Sequence, residues 1–232
     1  MVRRLTDRLT VVAAAWLAAG LAFSAFVVWA FIELADEVVE GESRAFDKAV
    51  LLWIHSTFPG WLEGPMLIIT ALGYYWVVLP LLAVAVAFFY RRGWRLSAIL
   101  LLVSTGGSAV LTTVLKSVFE RARPELFDSG YQASFYSFPS GHATVAVGFY
   151  GMLTLVLAYR LRGIARWVLV IFGILVVLVI GFSRLYLGVH YPTDVLAGYL
   201  AALLWLVCVG AVYALWLSVR GPGAAESDHD GG

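Results

Sequence analysis

The chain reads as long apolar runs separated by short polar breaks. About 20 mostly apolar residues suffice to cross a bilayer as a helix. Six runs reach or approach that length: Leu9–Ile32, Pro65–Tyr90, Leu96–Leu115, His142–Tyr159, Trp167–Phe182 and Val195–Val219. Each is predicted to span the membrane. Arg3, Arg4 and Arg8 precede the first run. It is longer than the roughly 7–15 apolar residues of a cleaved signal peptide, so it is expected to remain as span one. Between spans one and two, residues 33–64 open with Glu33, Asp36, Glu37, Glu40 and Glu42. Phe46, Ala49, Val50, Trp53, Ile54 and Trp61 then recur at near-helical spacing. This predicts an amphipathic helix on the outer side, either lying in the membrane surface or packed on the bundle. The expected architecture is therefore all-α: a polytopic membrane domain over residues 1–220 with six transmembrane helices and one amphipathic outer helix. Residues 221–232 form a small, polar tail expected to be disordered. The absence of an internal repeat disfavours a transporter built from inverted halves.

Composition agrees with a membrane protein. Hydrophobic residues make up 62% and charged residues 13%, against roughly 45–50% and about 25% in soluble domains. The 9 Trp and 11 Tyr suit helices anchored at lipid interfaces. A formal net charge of +1 gives no global pull on nucleic acid. Cys208 is the single cysteine, which excludes an intrachain disulfide and a cysteine metal cluster. The usage of Ala, Val, Arg and Gly leans towards a high-GC bacterium. Arg3, Arg4, Arg8, Arg91, Arg92, Arg95, Arg160, Arg162, Arg166 and Arg220 fall on one side of six alternating spans. The positive-inside bias puts that side, and both termini, in the cytoplasm.

The remaining charges break that bias. Lys116, Arg121, Arg123 and Arg184 all fall on the outer side. They belong to three clusters: Lys116 to Pro124 after span three, Pro139 to His142 at the start of span four, and Arg184 to Asp194 between spans five and six. Each alone has an ordinary explanation, such as a snorkelling lysine, a serine N-cap or a structural histidine. Together they compose a site. Lys116, Arg123 and Arg184 supply cations, two with planar forks suited to phosphate oxygens. Ser140 and Gly141 sit where backbone N–H groups of a starting helix bind anions. His190 and Asp194 are four apart, so one helical turn can set the carboxylate on one ring nitrogen and leave the other free to attack. His142 is placed to protonate a leaving oxygen. His55 and His229 receive no role.

KSVFERARP (116–124), PSGH (139–142) and SRLYLGVHYPTD (183–194) resemble the three signature motifs of the type 2 phosphatidic acid phosphatase superfamily. The six-span layout resembles its bacterial integral-membrane branch. The resemblance implies a metal-independent, cofactor-free phosphatase acting on membrane lipid phosphates. It makes His190 the nucleophile forming a phosphohistidine, Asp194 its orienting carboxylate and His142 the acid for the leaving group. Lys116, Arg123, Ser140, Gly141 and Arg184 would hold the phosphate. Arg121 is a possible accessory, for a second phosphate or for Glu120. The expected location is the bacterial cytoplasmic membrane with the site facing the exterior. Expected substrates include undecaprenyl pyrophosphate and phosphatidylglycerol phosphate. The alternative is a protein that binds or transports lipid phosphates with the same cationic site.

Overall fold

A computed structural model describes residues 2–127 and 135–220, with side chains described for 18–127 and 135–213. The polar tail expected at 221–232 lies outside the described residues. Helices follow in the order α1 (Val2–Glu40), α2 (Arg44–Thr57), a 3-10 turn (Gly60–Leu62), α3 (Glu63–Ala71), α4 (Tyr75–Arg91), α5 (Arg95–Phe119) and α6 (Gly141–Ala146). A π-turn (Val147–Gly151), α7 (Met152–Arg160), α8 (Gly163–Tyr186) and α9 (Pro192–Arg220) complete the described chain. No strand occurs among the described residues. Five stretches are long and apolar enough to cross a membrane: Ala18–Glu40, Arg95–Phe119, Gly141–Arg160, Gly163–Tyr186 and Pro192–Tyr213. A sixth arises if the bent pair Gly60–Ala71 and Tyr75–Arg91 counts as one span.

Three elements depart from the sequence pattern. First, α1 runs on through Glu40, so Glu33, Asp36, Glu37 and Glu40 belong to its last turns and not to a loop. Ala35 on this extension packs with buried Phe138 and Ala197, which gives the polar end of the helix an apolar seam. Second, span two is broken, with its halves bent by 46°. The break packs tightly: a Cβ on Gly73 would lie 2.9 Å from Ile180 Cγ2 and 3.0 Å from His142 Cδ2. The Tyr150 hydroxyl donates to the Leu72 carbonyl at 2.8 Å, so a backbone acceptor freed at the break has a partner. Third, α2 turns Asp47, Leu51 and Ile54 inward against α8 and α9, while Phe46, Trp53 and the nearby Trp61 are exposed. The amphipathic helix thus packs on the bundle with one face and presents a second apolar face outward.

Small residues bring the central helices together, as in membrane bundles generally. Ser104 of α5 donates to the Gly148 carbonyl at 2.6 Å, within the π-turn. A Cβ on Gly198 of α9 would meet the Ser140 carbonyl at 2.7 Å, so α9 lies directly on the start of α6. The apolar core joins Val78, Leu82 and Phe89 of α4 to Leu101, Phe149, Met152 and Val209. The ends of α5 and α8, the starts of α6 and α9, and α2 meet at one end of this bundle. Arg91, Arg92, Arg95, Arg160, Arg162 and Arg166 lie at the opposite helix ends.

Candidate active site

The turn from α8 to α9 builds the centre of the site. Gly188 takes a left-handed conformation (φ 64°) with Phe127 packed against it. Pro192 then opens α9, where its missing N–H is not needed. Asp194, in the first turn, accepts the Tyr191 N–H at 2.9 Å, the return bond of a capping box. The same oxygen, Oδ2, lies 3.3 Å from His190 Nδ1. The helix start that Asp194 closes therefore also aims the imidazole.

Arg123 defines the other side of that ring. α5 ends at Glu120, whose left-handed backbone (φ 45°) turns the chain so that 121–124 runs beside the His190 loop. Arg123 Nη1 donates to the Val189 carbonyl at 2.8 Å and lies 3.2 Å from His190 Nε2. Its Nε donates to the Phe135 carbonyl at 2.8 Å. A guanidinium has no acceptor, so the tautomer with Nδ1–H towards Asp194 lets Nε2 accept from Arg123. His190 is 2% exposed. Burial first, and then Arg184, Arg123 and Lys116, hold its imidazole well below the usual histidine range, while a bond to the Ser137 backbone acts in the opposite sense.

The other predicted residues gather here. Lys116 Nζ donates to the carbonyls of Tyr136 and Ser137. Arg184 is buried, with Nη1 donating to Thr70 Oγ1 at 2.5 Å. Gly141 packs against Thr112 and Lys116, where a Cβ would lie 3.3 Å from Thr112 Cγ2 and 3.9 Å from Lys116 Cε. Ser140 differs from expectation in one respect. Its N–H is already bonded to the Asp194 carbonyl at 2.9 Å, which ties α6 to α9. Its buried hydroxyl has no protein partner and can meet an anion together with the first-turn N–H groups of α6. His142 Nε2 is likewise enclosed without a protein partner. The His142 ring lies 5.8 Å from that of Tyr74. It lines, with Gly141, Val78, Leu82, Leu102 and Thr105, an apolar cavity of about 390 Å³ between α4 and α5.

Arg121 is held between two carboxylates. Nη1 donates to Asp194 Oδ1 at 2.6 Å and Nη2 to Asp47 Oδ2 at 2.6 Å. Its guanidinium also covers the Tyr191 ring at 4.3 Å. Asp47 and Thr193, together with Thr70 and Gly73, are the residues that sequence reasoning missed. Asp47 alone left a trace, as an acid in register with Leu51 and Ile54 on the inward face of α2. Among the described residues, no three His, Cys, Asp or Glu side chains group as metal ligands.

A helical membrane bundle with a buried histidine–aspartate pair and a cluster of cations at one end defines an integral membrane protein. The chain belongs to the PAP2 superfamily, whose model matches residues 97–217 and so takes in all three motif clusters. Phosphatidylglycerophosphatase B of Bacillus subtilis (strain 168) is 38% identical over 171 residues, which cover 72% of this chain and 80% of the relative. An undecaprenyl-diphosphatase of Sulfolobus acidocaldarius is 33% identical over 144 residues, covering 60% and 65% of the two chains. The crystal structure of a transmembrane PAP2-type phosphatidylglycerolphosphate phosphatase from Bacillus subtilis superposes with a TM-score of 0.74 at 31% identity. That superposition covers 82% of this chain and 96% of the other.

Proposed function

We propose that this protein is a membrane phosphatase that hydrolyses lipid phosphates or pyrophosphates by way of a phosphohistidine on His190. The observation that carries this reading is the buried His190 ring set between Asp194 at Nδ1 and Arg123 at Nε2, with Lys116 and Arg184 close enough to act on the ring. The Nε2 lone pair attacks phosphorus while the bond to the lipid oxygen breaks, and His142 gives that oxygen its proton. Asp194 balances the imidazolium charge that develops. Water then attacks the phosphohistidine, His142 takes the water proton, and phosphate leaves with His190 restored. Lys116, Arg123, Arg184, the Ser140 hydroxyl and the start of α6 stabilise the phosphoryl oxygens in both steps. Phosphate monoester hydrolysis is among the slowest uncatalysed reactions, so a fixed cationic enclosure suits it.

The apolar cavity ending at His142 supports a lipid leaving group, because it sets hydrocarbon beside the proposed acid. Phosphatidylglycerol phosphate is the first substrate to test, since the relative sharing more of its length bears that name. Undecaprenyl pyrophosphate is the second. The charge distribution supports a site on the outer side with both termini in the cytoplasm. The test is phosphate release by detergent-purified protein from these two lipids and phosphatidic acid, with His190→Ala alongside. Release by the wild type alone is expected. Full activity in a folded His190→Ala variant would end the mechanism.

A further inference from the structure

Asp47 belongs to α2, outside the matched region 97–217, and it is fully buried. Its Oδ1 accepts the Thr193 N–H at 3.1 Å. Its Oδ2 accepts the Thr193 hydroxyl at 2.7 Å and Arg121 Nη2 at 2.6 Å. One carboxylate from a surface-packed helix thus caps the start of α9 and clamps the guanidinium that holds Asp194. Arg121 Nη1 also donates to Thr193 Oγ1 at 2.8 Å, which closes the network.

We propose that Asp47 is a positioning residue for the hydrolytic reaction, acting through Arg121 and Thr193 on Asp194 and so on His190. This rests on the phosphatase reading above. The physical reason is charge balance in a buried site. Arg121 sits between two carboxylates. With Asp47 present, the Asp47–Arg121–Asp194 set carries one net negative charge, available to the imidazolium that forms during attack. With Asp47 neutral, Arg121 places its full charge against Asp194 alone and weakens that support, because buried charges are poorly screened. The cap on Thr193 adds geometry, since it holds the helical turn from which Asp194 reaches His190.

The groups facing His190 are Asp194 from α9, Arg184 from α8, Lys116 from α5, Arg123 from the segment after α5, and His142 from α6. Arg121 stands behind Asp194 and Asp47 behind Arg121. Removing one charge from this set moves the pH at which His190 becomes neutral. The acid limb of kcat/KM reports that change, and the substrate's own ionisation is common to all variants.

The experiment measures kcat, KM and the acid limb on phosphatidylglycerol phosphate for the wild type, Asp47→Asn, Arg121→Gln and the double variant. Asp47→Asn is expected to lower kcat about tenfold or more, leave KM within about threefold and move the acid limb down by about half a pH unit or more. Arg121→Gln moves the limb up. The double variant restores charge balance, returns the limb towards the wild-type position and is no slower than the slower single variant. Losses that multiply in the double variant, with the limb unmoved in both singles, mean a structural role only and overturn the proposal. Wild-type kinetics in Asp47→Asn overturn it alone, leaving the phosphatase reading intact. No phosphate release by folded wild-type protein from any of the three lipids overturns both. Should Asp47→Asn not fold, Arg121→Gln decides: an unmoved limb overturns the proposal.

Discussion

Arg123 Nη1 lies 3.2 Å from His190 Nε2. The other ring nitrogen points at Asp194 Oδ2. An arginine can only donate, so the tautomer with Nδ1–H towards Asp194 satisfies both neighbours. In the proposed mechanism that tautomer attacks phosphorus and Arg123 stabilises the phosphoryl oxygens.

Arg123 also holds the carbonyls of Val189 and Phe135, so its planar fork matters as much as its charge. Arg123→Lys is expected to lower kcat/KM about 10²-fold or more, comparable to losing one fixed oxyanion donor. A rate within threefold of wild type, measured by phosphate release, would remove Arg123 from the transition state.

His142→Gln tests the acid. Its loss should slow lipid phosphate hydrolysis about 10²–10⁴-fold. p-Nitrophenyl phosphate releases a weakly basic oxygen that needs little protonation, so its rate should fall far less. Equal losses on both substrates would mean that His142 binds phosphate and does not protonate the leaving group.

Burial holds His190 neutral below the pH at which an unfolded histidine takes up a proton. The sign follows from linkage. Above about pH 6.5 both states are neutral at this residue, and it contributes nothing. As pH falls below that value the unfolded chain gains a proton that the folded one refuses, so stability is lost until the folded-state value is reached. His190→Gln lacks this loss. The apparent melting temperature of the wild type minus that of His190→Gln should therefore fall by about 2–4 °C between pH 7.5 and 5.5. A difference that stays constant or grows would contradict the neutral, buried state.

Gly106 lines the apolar cavity, and a Cβ there would meet nothing within 4 Å. Gly106→Phe starts from a position whose Cβ meets no neighbour and should narrow the cavity. The expected result is a KM raised about tenfold for long-chain lipid phosphates, the scale of one or two buried methylenes, with short-chain analogues little affected. Equal effects on both would place the lipid chain elsewhere.

Incubation with EDTA should leave the rate unchanged, because Lys116, Arg123 and Arg184 supply the positive charge that the proposed mechanism needs. A strict requirement for added divalent metal would count against it.

The apolar runs alone predicted six crossings; five overlap continuous helices, because hydrocarbon demands a satisfied backbone ladder, and the second is a bent pair. The clusters at 116–124, 139–142 and 183–194 were legible for a different reason: their charges lie at the span ends opposite the arginine-rich loops, so they stand out against the positive-inside bias. The spacing of His190 and Asp194 announced their contact, although it is made from the turn before α9 to the helix's first turn and not along one helix face. The break at Gly73 was hidden, because its cause lies in Ile180, His142 and Tyr150, which are remote in sequence. The alternation within α2 showed an amphipathic helix, yet it did not say which face turns inward. Asp47 answers that, and its partners Arg121 and Thr193 are 74 and 146 residues away. Local order and the chemistry of the motifs were thus determined by the sequence itself. Which buried charge meets which was decided by the tertiary structure alone, because a carboxylate's partner is set by where distant helices converge.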